Sequence, residues 1–191
     1  MPNLMLTSDP EADALLSENA FALLIGMLLD QQISMELAFI GPHRLEQRID
    51  GPLTPETIAA MSLDDLEELF REKPALHRYP GSMAKRVHAL AVHLVEEHDG
   101  DAASVWADVR TGIELKRRLT DLPGYGEQKA RILVALLGKQ CGITPQGWQA
   151  AAGDYGKEGY RSIADVTCQE SLAKVRDWKQ AQKAAKRSAD S

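Results

Sequence analysis

The sequence predicts an all-α fold, and three observations carry that prediction. Few runs alternate apolar and polar residues as a half-buried strand would, and β-branched clusters are scarce. Most long segments instead repeat apolar residues at the 3.6-residue period of a helix. Capping side chains stand directly before proline at Asp9-Pro10 and Thr54-Pro55, the chemistry that opens helices. With 191 residues, 44% hydrophobic and 26% charged, the chain is one domain or two small lobes able to bury a real core.

The elements follow in order. A short helix is expected over residues 11–17, after Asp9-Pro10. A second runs from about Asn19 through Leu29; it is apolar nearly all round and must be a core helix. It ends abruptly at the polar stretch Asp30-Gln31-Gln32-Ile33-Ser34, and Ser34 caps a third helix reaching about Arg48. Asp50-Gly51-Pro52 is a turn. Thr54 opens a short helix through Ala60, and Ser62, with Asp65 three residues on, opens another. Two prolines and a glycine break the pattern over 73–81, after which Ser82 is expected to cap a long helix to about His98. A short helix carries Trp106, and residues 110–120 form the helix that leads into the next turn. Beyond Gly138 the texture changes: 141–160 holds five glycines and no clear period, so it is expected to be mostly irregular. A basic helix over about 169–187 follows, anchored by Leu172, Val175 and Trp178 and ending in a disordered-looking Ser-Ala-Asp-Ser. Its stretch from Lys179 to Arg187 reads either as a solvated tail or as a nucleic-acid contact.

The chemistry concentrates in Leu122-Pro123-Gly124-Tyr125-Gly126-Glu127-Gln128-Lys129-Ala130. Pro123 cannot continue a helix, and two glycines one residue apart permit positive φ and let backbone N–H groups converge on a ligand. A helix beginning at about Glu127 adds its own unpaired amides and its positive dipole end. An anion such as a phosphate suits that end. Ala130, Leu133, Val134 and Leu137 give this helix an apolar face to pack on the helix before it.

Composition excludes several classes. Cys141 and Cys168 are too few for a disulfide framework, an iron–sulfur cluster or a cysteine-rich zinc site, and His43 and His77 are not spaced as a metal pair. No stretch approaches the roughly 20 apolar residues of a membrane span, and the N-terminus does not read as an export signal, so a cytoplasmic protein with no membrane partner is expected. The net charge of −6 is unevenly spread: residues 1–110 hold nineteen Asp and Glu against eight Lys and Arg, residues 111–191 nine against fourteen. Lys116, Arg117, Arg118, Lys129, Arg131 and Lys139 surround the suspected anion site.

The apolar helix ending LLDQQIS, the segment PGSMAKRVHALAVHL and the hairpin LPGYGEQKA together resemble the helix-hairpin-helix DNA glycosylases, the HhH-GPD base-excision repair superfamily, over roughly residues 19–147. The resemblance implies a bilobal all-α fold, double-stranded DNA as partner, a monomer, association with the bacterial nucleoid and no cofactor beyond a monovalent cation at the hairpin backbone. It places Gly124, Gly126 and the amides from Glu127 to Lys129 on a duplex phosphate, with Tyr125 packing the turn and Gln128, Lys129 and Arg131 beside it. Gln31 and Gln32 lie, in relatives, near the loop that probes the base stack when a nucleotide is flipped out.

Two departures qualify the function. Bifunctional relatives carry a lysine nucleophile where this chain has Gln128; Lys129 is one residue later, about 100° around the helix. The implication is a monofunctional DNA N-glycosylase, in which water attacks the sugar. The relatives also carry an aspartate after the second hairpin helix, which stabilises the cationic sugar. Here Pro145 or Gln146 holds that place. Asp154, Asp30 and, third, Asp165 are the carboxylates able to substitute, and Gln146 can position water without supplying charge. Trp148, Tyr155 and Tyr160 are candidates to line a base pocket by stacking. Two other readings stand beside the enzyme: a non-catalytic DNA- or lesion-binding protein on the same scaffold, and a helical interaction module using the acidic N-terminal portion.

Overall fold

The computed structural model describes residues 2–191 and contains ten α-helices: α1 (Pro10–Glu18), α2 (Ala20–Leu29), α3 (Met35–Glu46), α4 (Pro55–Ala60), α5 (Leu63–Arg71), α6 (Pro80–His98), α7 (Gly112–Thr120), α8 (Glu127–Gln140), α9 (Trp148–Ala152) and α10 (Gln169–Ala189). Single turns of 3-10 helix cover Ala102–Val105, Gly153–Gly156 and Ile163–Asp165. The described residues form no strand; one isolated bridge joins Thr111 and Gln146.

The caps act as their sequence implies. Asp9 accepts from the amides of Glu11 and Ala12, Ser34 from Leu37, Thr54 from Thr57 and Ser62 from Asp65. Four expectations need correction. Helix α6 begins at Pro80, with Tyr79 at its N-cap, because proline presets the helical φ; Ser82 lies inside the first turn. Helix α3 stops at Glu46, and Arg48 leaves it to donate to the carbonyls of Leu69 and Pro74, each at 2.7 Å. The glycine-rich segment after Gly138 is more ordered than its composition suggests, since Trp148 of α9 packs flat on Gly138. A Cβ at Gly138 would fall 2.4 Å from the indole ring, so the missing side chain is what admits the tryptophan. The last helix also runs two residues past its expected end, to Ala189.

Helix α2 is the centre of the packing. Residues 21–29 are all buried, the arrangement expected of a helix with no polar face. Gly26 lets the ring of Phe39 from α3 lie against its backbone. Two groups of helices flank it, α4 and α5 on α6, and α7, α8 and α9 with Ile163–Asp165, while α2 touches α1, α3, α6 and α8. Helix α10 returns across α3, where Arg176 pairs with Glu36. No single helix is long and apolar enough to cross a membrane.

Candidate nucleic-acid interface

The turn between α7 and α8 is fixed from inside and open outside. Gly124 adopts φ +81°, and a Cβ there would lie 2.8 Å from Leu28 Cδ1, so the turn requires glycine on both counts. Tyr125 is buried, and its hydroxyl donates to the Leu24 carbonyl at 2.7 Å, bolting the hairpin to α2. Its burial raises the phenol pKa well above the ordinary value. Gly126 caps α8 without a side chain, and no atom lies within 4 Å of where its Cβ would be. The amides of Gly126, Glu127, Gln128 and Lys129 have no hydrogen-bond partner among the described residues. Four donors thus converge at a helix N-terminus with open space before them.

The loop after α2 sits beside this end and is tied to α6. Gln31 donates from Nε2 to the Leu28 carbonyl at 3.2 Å and accepts on Oε1 from Arg86 Nη1 at 3.3 Å. Buried His77 holds the same loop. The Tyr79 amide donates to its Nδ1 at 3.0 Å, so the proton sits on Nε2, which donates to the Gln31 carbonyl at 2.9 Å. Burial lowers the His77 pKa, which favours this neutral form. Gln32 is exposed at the tip with φ +57°, a conformation uncommon outside glycine.

Between the end of α2, the start of α8 and the face of α10 lies a cavity of about 610 Å³. Its walls carry Asp30, Gln31, Gln128, Lys129, Tyr155 and Trp178, with Arg161, Lys179, Lys183 and Lys186. Lys129, expected on the DNA face, points inward: Nζ donates to the carbonyls of Met27 at 2.7 Å and Asp30 at 3.1 Å, capping the carbonyl end of α2. Its pKa falls to about 8, chiefly because burial penalises the ammonium; nearby Lys179 and Arg86 lower it further while Asp30 opposes them. The Asp30 side chain is only 8% exposed and stands 3.7 Å from Lys179 Nζ. It is the sole carboxylate lining the cavity among the described residues. Gln128 Nε2 donates to the Tyr155 hydroxyl at 3.0 Å.

The other expected site residues lie elsewhere. Gln146 is outside the cavity: its backbone bridges to Arg110 and Gly112, and its exposed side chain does not line the wall. Asp154 is exposed and paired with Lys157 at 2.6 Å in a separate shallow depression beside Arg131. Asp165 accepts from Lys139 at 2.6 Å and from the Arg161 amide, a capping task. Arg131 pairs with Glu127 at 2.8 Å. Trp148 packs on Gly138, and Tyr160 is exposed with Lys174 4.8 Å above its ring, so of the three candidate aromatics only Tyr155 reaches the cavity. Sequence reasoning missed as cavity-forming Arg161 and the α10 row of Trp178, Lys179, Gln182, Lys183 and Lys186. The row's spacing of i, i+1, i+4, i+5 and i+8 was a visible signal, since it puts all five on one helix face.

An uncapped glycine hairpin facing outward, a polar loop beside it and a cavity lined by cations behind are the geometry of a helix-hairpin-helix protein. The family model described as HhH-GPD superfamily base excision DNA repair protein matches residues 25–191, and the chain belongs to that superfamily of DNA repair proteins. No curated protein and no solved structure matches it.

Proposed function

We propose that the protein is a monofunctional DNA N-glycosylase that flips a damaged base into the cavity, with Asp30 as the carboxylate that stabilises the cationic sugar. The observation that carries this reading is the Asp30 side chain, nearly buried and alone of its charge in the cavity wall. Superfamily membership supports the reaction class, and the hairpin amides supply the phosphate contact that base flipping requires. In this reading water attacks C1′ while Asp30 takes its proton and faces the developing positive charge. Gln31 and Gln32 occupy the gap in the duplex, with the Gln31 carbonyl and amide already held by His77 and Arg86. Partner and state follow the same reading: double-stranded DNA, bound by a monomer in the cytoplasm. A monovalent cation belongs to it as well. The carbonyls of Pro123 and Tyr125 accept no hydrogen bond among the described residues, so the turn has acceptors to offer one.

The test is a single-turnover incubation with lesion-bearing duplexes, resolved with and without alkali. Alkali-dependent strand scission is expected, and Asp30→Asn should slow it by about 100-fold or more, whereas Asp154→Asn should leave it unchanged. The inward-facing amine of Lys129 makes the opposing outcome specific. Cleavage without alkali, with borohydride trapping of an adduct lost in Lys129→Gln, would overturn the monofunctional reading. Salt-sensitive binding with no product would favour the lesion-binding alternative.

A further inference from the structure

The cavity's charge is lopsided in a way that hydrolysis alone does not require. Five cationic side chains, Lys129, Arg161, Lys179, Lys183 and Lys186, line it against the single carboxylate of Asp30. Asp30 apart, such a wall does not stabilise a cationic sugar. The ammonium of Lys129 uses two of its donors on the carbonyls of Met27 and Asp30, which leaves the third without a partner among the described residues. Arg161 Nε is likewise buried with no hydrogen-bond partner. The wall therefore combines positive potential with donor capacity, the two properties that hold an electron-rich, acceptor-bearing group.

Resting on the glycosylase reading, we infer that the cavity selects bases that are neutral in DNA and depart as anions, such as uracil, hypoxanthine or an oxidised purine, and rejects N-alkylated purines, which are cationic. The two classes differ at the breaking bond. When the C1′–N bond of a neutral base breaks, the electron pair leaves on the base nitrogen; the water oxygen bonds C1′, its proton passes to Asp30, and the base anion takes a proton from solvent. Cations lining the cavity stabilise that anion. An alkylated purine already carries positive charge and leaves neutral, so the same wall repels it on entry and gives nothing to its departure. Tyr155 and Trp178 present rings whose faces attract a cation, but two rings stand against five like charges.

The experiment compares duplexes carrying uracil, hypoxanthine, 7-methylguanine or 3-methyladenine, measuring single-turnover excision above the uncatalysed rate. Binding to 2′-fluoro duplexes of uracil and 7-methylguanine, whose glycosidic bonds resist cleavage, is measured in parallel. The expected result is a preference of about 100-fold or more for a neutral base, with tighter binding of the 2′-fluorouracil duplex. Lys179→Glu should shrink the preference by about tenfold or more, and Lys186→Gln, which removes one charge at the end of the lysine row, should shrink it by less. Faster excision or tighter binding of the methylated purines overturns the inference. If no duplex is cleaved but the 2′-fluoro binding order holds, the charge selection stands and it is hydrolysis that fails.

Discussion

The basic residues around the hairpin and those on α10 differ in what they face: most of the first set are paired with acids outside the cavity, and the second set lines it with charge to offer. Near the hairpin, Lys116 and Arg131 both reach Glu127, Arg118 pairs with Glu114 at 2.7 Å, and Lys139 pairs with Asp165 at 2.6 Å. On the cavity face of α10, Lys179 has Asp30 at 3.7 Å, and Lys183 and Lys186 have no carboxylate partner among the described residues. A count of lysines and arginines along a sequence therefore misplaces the field. Spacing to the nearest acid decides which cations remain: Glu114 and Arg118, and Glu127 and Arg131, are i,i+4 pairs that neutralise themselves on the helix surface.

Lys129 belongs to both regions, since it starts from the hairpin helix and faces α10, and it carries the largest expected effect. Its folded pKa of about 8 lies below the ordinary 10.5, so the unfolded chain binds the proton more tightly. The cost of burying the ammonium is fully present below pH 8 and is relieved as pH rises toward 10.5, a gain of about 3 kcal/mol at about 1.4 kcal/mol per tenfold. Cys141, whose thiol burial pushes up to about 11, acts in the opposite direction over an overlapping range. Urea denaturation of the protein and of Lys129→Met separates the two: the stability of the protein relative to the variant should rise with pH across this window. A flat difference would place the ammonium in water.

Next in size is the contrast itself. Replacing Lys179, Lys183 and Lys186 with glutamine should weaken duplex binding by about 30-fold or more at low salt and reduce the slope of log affinity against log salt by about 3. Replacing Lys116 and Arg117, paired with Glu127 and Asp121, should change affinity by less than about threefold. Equal effects from the two sets would erase the distinction.

The readable parts of this protein are those set by local chemistry. Helix starts at Pro10, Pro55 and Leu63 follow from Asp9, Thr54 and Ser62, and the buried α2 follows from an apolar run with no polar face. The hairpin was legible for the same reason, because its proline and glycines restrict the backbone wherever the chain places them. The cavity was less so. Asp30 was a candidate by its place at the end of α2, but nothing local told it from Asp154, and only the return of α10 across the molecule shields one and leaves the other in solvent. Position along the motif makes Gln146 a candidate, yet its backbone is bridged to residues Arg110 and Gly112, a long-range pairing that periodicity does not report.

The smallest effects test how the hairpin is held. Tyr125→Phe removes one buried hydroxyl and leaves the Leu24 carbonyl without its 2.7 Å donor, so stability should fall by about 1–2 kcal/mol. For a domain of this size that corresponds to a drop of about 2–8 °C in Tm. The ring remains in place, the Gly124 turn is untouched, and the four open amides keep their direction. Duplex affinity in Tyr125→Phe should therefore change by less than about twofold at temperatures where the protein is folded. A loss of binding as large as that from the α10 lysines would mean that the hydroxyl sets the aim of the amides as well as the stability of the turn. The hairpin would then be a tuned contact, dependent on α2 for its geometry, and the division between a rigid hairpin and a charged cavity wall would no longer describe the molecule.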